Sequence, residues 1–180
     1  DNNSECKGGD DVLMDFGAEY ANYASDMTRC IPVSGKFTPR QKDVYNAVLK
    51  VMKSATNMLR SGTLLAEYHK EVGLIMESEL LALGLITQHD IDKQDPKNPA
   101  YRKYFMHGTS HFLGLDVHDV GLWDEPIRKG MTFTCEPGIY IREENLGIRL
   151  ENDLLVTDDK PLDLMQSIPL EAEEIESLMN

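Results

Sequence analysis

A chain of 180 residues that is 41% hydrophobic and 27% charged can bury one sizeable core, so a single domain over residues 1–180 is expected. Eighteen Lys and Arg against thirty-one Asp and Glu leave a formal net charge of −13, a field that repels phosphate backbones and anionic bilayers and excludes nucleic acid and membrane as expected partners. No apolar run approaches the roughly 20 residues that span a bilayer, no signal-peptide pattern opens the chain, and Cys6, Cys30 and Cys135 lie far apart with no CxxC. A soluble protein of a reducing, cytoplasmic setting is expected.

Residues 12–20 (VLMDFGAEY) read as a strand, and residues 24–33 (ASDMTRCIPV) as its return partner after a break at 21–23. Thr38 opens T-P-R-Q, with a capping hydroxyl, Pro39 at the first helical position and Gln41 three residues after the cap, which is a helix-start signature. Val44, Val48, Val51, Met52, Ala55 and Leu59 follow at helical spacing, so an amphipathic helix is predicted to about residue 60. A second helix over about 64–83 stops at Gly84, and both helices are expected to lay one face on a sheet. Residues 88–103 lack periodicity, carry Pro96 and Pro99, and are read as a surface excursion. Residues 131–141 (MTFTCEPGIYI) and 147–157 (GIRLENDLLVT) flank a turn-like 142–146 and form a second candidate hairpin. The acidic run Glu171, Glu173, Glu174, Glu176 is expected to be a solvated face.

Each hairpin carries two carboxylates in apolar surroundings, Asp15 and Asp26 in the first, Glu136 and Glu151 in the second. Each has a bland reading by itself: a turn before Gly17, a partner for Arg29, a cap on Pro137-Gly138, a partner for Arg149. Four together point elsewhere, because buried anions must be neutralised and divalent cations do this effectively. Three of the five histidines fall within twelve residues, in His107-Gly-Thr-Ser-His111-Phe-Leu-Gly-Leu-Asp-Val-His118. If 112–118 is extended, His111 and His118 face opposite sides, so without a bend one is a ligand and the others handle substrate. His69 and His89 are read as structural. HExxH and GxSxG are absent, and Ser34-Gly35-Lys36-Phe37 fails the phosphate-loop pattern because Phe37 replaces Ser or Thr.

HGTSHFLGLDVHD, with MDFG, SDMTR, CEPGIYI and GIRLEND in that order, resembles the aminopeptidase P and prolidase branch of the pita-bread metallopeptidases over nearly the whole chain. The resemblance implies an α+β pita-bread fold with two pseudo-symmetric halves, lacking upstream helices, a strand and any N-terminal domain. It implies that Asp15 binds one metal, His111 and Glu136 the other, and that Asp26 and Glu151 bridge both. Glu136 is then also general base and acid, His118 steadies the developing oxyanion, and His107, Arg149 and, with them, Tyr140 line the proline side of the scissile bond. Four carboxylates and one imidazole form a hard site that suits Mn²⁺, with Co²⁺ or Zn²⁺ as alternatives. The implied activity is Xaa-Pro aminopeptidase on peptides with proline second. Xaa-Pro dipeptidase (prolidase) is the near alternative, methionine aminopeptidase a more distant one, and a non-catalytic peptide- or protein-binding module the alternative of another class. Apolar surface left by missing upstream elements leads to an expectation of homo-oligomers.

Overall fold

The computed structural model describes residue 3 and residues 5–179. The first hairpin forms, but in two stages. Strand β1 (Asp11–Phe16) pairs antiparallel with β4 (Met27–Pro32), Asp15 opposite Thr28, while β2 (Glu19–Tyr20) and β3 (Tyr23–Ala24) pair at the tip around Ala21 and Asn22, both with positive φ. The single strand read over 12–20 is therefore interrupted. Ser25 Oγ bonds both the N–H and the carbonyl of Ala18, and a Cβ on Gly17 would lie 1.9 Å from the Ser25 carbonyl oxygen, so only glycine fits the crossing.

Helix α1 (Pro39–Met58) starts where predicted, with the Thr38–Gln41 capping box formed. Its face of Val44, Val48, Val51, Met52 and Ala55 is fully or almost fully buried and lies against the second strand set. Removing each of the valine and methionine side chains from water contributes about 1.5–3 kcal/mol, so a charge at Val48 would break this packing. Helix α2 (Leu65–Ala82) ends before Gly84, whose φ is +70°. It packs mainly on α1, and reaches the strand layer through Tyr68, whose hydroxyl lies 3.8 Å from Cys135 Sγ. Residues 88–103 hold more structure than expected: helix α3 (Gln88–Lys93) and a 3₁₀ turn (Ala100–Lys103). Thr87 and Asp90 cap α3 reciprocally, and such local bonds sustain a helix too short to show periodicity.

The second hairpin echoes the first. Strand β5 (Thr132–Cys135) pairs with β8 (Asn152–Leu155), then β6 (Gly138–Ile141) with β7 (Leu146–Arg149) around a 3₁₀ turn (Arg142–Glu144). Strand β9 (Leu162–Asp163) extends the β5–β8 sheet, and α4 (Ala172–Leu178) packs on α1 and β4. The acidic run is not simply solvated: Glu171 pairs with Lys53, and Glu173 and Glu176 with Lys42, along α1. Among the described residues no helix is long and apolar enough to cross a membrane.

Candidate metal centre

Three of the four candidate carboxylates sit where a strand is interrupted. Asp26 precedes β4, Glu136 separates β5 from β6, and Glu151 separates β7 from β8. Their amides are satisfied outside their own strand pairs: Asp26 N–H by Asp153 Oδ2 at 3.2 Å, Glu136 N–H by the Thr109 carbonyl at 2.8 Å, and Glu151 N–H by the Thr28 carbonyl at 3.1 Å. Leaving the ladder frees each residue to turn its side chain toward a common point.

At that point one oxygen each from Asp26 and Glu151 and a ring nitrogen of His111 lie within 4.8 Å of one another. His111 Nε2 is 3.5 Å from both Asp26 Oδ2 and Glu136 Oε1. Its Nδ1 lies 2.9 Å from the Phe112 carbonyl oxygen, a contact that holds the ring with Nε2 facing the carboxylates. Thr134 Oγ1 receives the His111 N–H and donates to Glu136. Burial pushes the Glu136 carboxyl up to about 7, and burial pushes Glu151 to about 8; the neighbouring Asp26 charge acts in the same direction on both. Asp26 is also raised, by burial and by Asp15. Crowded acids with an imidazole nitrogen among them are a donor set that fits a hard divalent cation. Asp15 stands at the edge, half exposed and ion-paired with Arg149 Nη2, outside the three-donor group.

Residues 114–118 are not extended. The segment bends back so that the Asp119 N–H reaches the Phe112 carbonyl at 3.0 Å, and Asp119 Oδ2 accepts the Leu115 N–H. A Cβ at Gly114 would lie 2.1 Å from Asp119 Oδ2, so a larger residue there would displace the carboxylate that closes the bend. As a result the His111 and His118 rings stack 4.1 Å apart, which corrects the expectation of opposite faces. All five candidate ligands, with His107, His118 and Arg149, line one cavity of about 570 Å³. His107 Nε2 is 2.8 Å from Tyr140 Oη, and Arg149 Nη1 donates to the same oxygen at 3.4 Å. Arg29, the alternative partner for Asp26, instead bonds the Thr28, Glu151 and Pro169 carbonyls and Asn152.

Several residues of the cavity wall have no functional reading in the sequence alone. His69, read as structural, lines the cavity and its Nδ1 accepts the Thr109 N–H at 3.2 Å. Ser110 and Trp123 also line it, Trp123 edge-on to Phe112. Thr28 lies buried behind Glu151. His69 offered a signal, since a histidine on an otherwise apolar helix face needs a partner; Thr28 and Trp123 offered none.

The description of metallopeptidase family M24 matches residues 1–158, and the chain belongs to that family. The chain is 41% identical to the Xaa-Pro aminopeptidase of Escherichia coli (strain K12) over 191 residues, covering 99% of this chain and 43% of that protein. To the Xaa-Pro aminopeptidase 3 of Homo sapiens it is 37% identical over 188 residues, 98% of this chain and 36% of that protein. Among solved structures, a zinc-substituted E. coli aminopeptidase P in complex with product superimposes with a TM-score of 0.90 at 41% identity, covering 98% of this chain and 42% of that one. The α+β pita-bread architecture expected from the motifs is borne out. The chain spans less than half the length of these relatives.

Proposed function

We propose that this chain carries the catalytic centre of an Xaa-Pro aminopeptidase that holds two divalent ions, Mn²⁺ by preference, through Asp15, Asp26, His111, Glu136 and Glu151. The observation that carries this reading is the convergence of Asp26, His111 and Glu151, with Glu136 3.5 Å from the same imidazole nitrogen. When bound, such ions supply a water acidified toward neutrality and a Lewis acid for the amide carbonyl. Glu136, 3.5 Å from His111 Nε2 at the mouth of the donor group, would take a proton from the attacking water and return it to the leaving proline nitrogen. His118, stacked on His111, steadies the oxyanion that develops on the scissile carbonyl. His107, tied to Tyr140 and with its protonation disfavoured by burial, and Arg149 form the wall on the proline side. The names of the relatives support the Xaa-Pro specificity.

The test is calorimetric Mn²⁺ binding together with hydrolysis of Ala-Pro-Leu and Ala-Pro. Two Mn²⁺ are expected to bind, and the tripeptide to be cleaved faster after alanine. Asp26→Ala and Glu151→Ala are expected to lose metal and activity together. Undiminished binding of two ions in either variant would remove the ligand assignment. Faster cleavage of the dipeptide would turn the reading to a dipeptidase, and metal binding without hydrolysis would turn it to a binding module.

A further inference from the structure

Thr28 belongs neither to the ligand set nor to the substrate wall, yet its hydroxyl stands between the two. The residue is fully buried. Its Oγ1 accepts the Arg149 Nε–H at 2.9 Å and lies 2.6 Å from Glu151 Oε2. A guanidinium only donates, so the single hydroxyl proton is directed to Glu151 and the orientation of the group is settled. The main chain reinforces this: the Thr28 carbonyl accepts the Glu151 N–H at 3.1 Å, and Arg29 Nη1 donates to both the Thr28 and Glu151 carbonyls. From Arg149 the network continues through Tyr140 Oη to His107 on one branch, and to Asp15 on another.

We propose that Thr28 is a positioning residue that sets the Glu151 carboxylate and the Arg149 guanidinium in one frame, so that cation binding and the proline-side wall share a single hydroxyl. This rests on the functional reading above. Valine would fill the same volume but offers neither a proton nor a lone pair. Glu151 is 2% exposed, so water would not readily replace the lost bond, and Arg149 Nε would lose its acceptor as well. Serine keeps the hydroxyl and removes only a methyl.

Mn²⁺ calorimetry on the whole chain, comparing parent, Thr28→Val and Thr28→Ser, tests the assignment, with KM and kcat on Ala-Pro-Leu at saturating Mn²⁺ as the second readout. Thr28→Val is expected to weaken Mn²⁺ binding about 10- to 100-fold, as loss of a partner behind a metal ligand does. It is also expected to raise KM about 3- to 10-fold with a smaller change in kcat, the size of one ordinary lost hydrogen bond. Thr28→Ser is expected to restore both. A parent-like Thr28→Val would overturn the proposal, and so would a Thr28→Ser as impaired as Thr28→Val, which would assign the effect to packing of the methyl group. If the parent itself bound no Mn²⁺, the functional reading would fall and the role of Thr28 with it. Normal parent binding and hydrolysis with Thr28→Val unchanged from the parent would remove only the latter.

Discussion

Stripping metal with a chelator and raising the pH from 6.5 to 8.5 is expected to destabilise the chain. Burial lifts Glu136 from 4.5 to about 7, Glu151 from 4.5 to about 8 and Asp153 from 3.8 to about 7. In this window the folded chain still holds protons on these groups that the unfolded chain has already lost, so stability falls as pH rises through the folded values. The burial of His69 and His107 lowers their protonation and acts in the opposite sense, but chiefly below their ordinary value of 6.5. At about 1.4 kcal/mol per tenfold change in a proton equilibrium, the three acids together lose about 3 kcal/mol across the window. With an unfolding entropy near 2.1 cal/mol/K per residue, that is a drop in Tm of about 8 °C for a chain of this length. Saturating Mn²⁺ should remove the share of Glu136 and Glu151, because a cation takes the place of their protons, and leave only that of Asp153. Scanning calorimetry in chelator and in Mn²⁺ at four pH values makes the comparison. A Tm in chelator that stayed level or rose between pH 6.5 and 8.5 would refute the picture of carboxylates crowded against one another without compensation.

Glu136→Gln keeps the size and one oxygen donor but removes the proton acceptor, so peptide turnover should fall about 10²- to 10⁴-fold while calorimetry still detects metal. His118→Ala should lower kcat about 10²-fold, whereas His89→Ala, on exposed α3, should stay within about twofold; steady-state kinetics on Ala-Pro-Leu would contradict the division of the histidines if the two variants matched. Tyr23, Val120 and Leu122 expose large apolar surface around a shared cavity beside Phe112, so light scattering should show concentration-dependent self-association, and a strict monomer at high micromolar concentration would count against it.

How far the chain could be read from its residues depended on how local each interaction is. The capping box at Thr38 and Gln41, the apolar stripe of α1 and the stop at Gly84 are set within a few residues, and they stand where the sequence places them. The hairpin pairings also follow from local alternation, but their interruptions do not. Ser25 enters the ladder seven residues from Ala18, and the amides of Asp26, Glu136 and Glu151 find partners on distant segments, which periodicity within one strand does not reveal. Helix α3 escaped because six residues are too few for a period, although its Thr87–Asp90 cap was present to be read.

For the site, the residue types and their order were carried by the sequence itself. Four acids in apolar strands require neutralisation wherever the strands lie, and that demand survives ignorance of the fold. Only tertiary structure decided which groups meet. The turn at Gly114 stacks His118 on His111, because the Asp119 carboxylate closes a loop that alternation along an extended strand would have opened. Arg149 reaches Asp15 across 134 residues of sequence and Thr28 across 121. Contacts of that span are fixed by how two hairpins pack, a global balance of burial and hydrogen bonding. Roles such as those of Thr28, His69 and Trp123 therefore exist only in the folded chain.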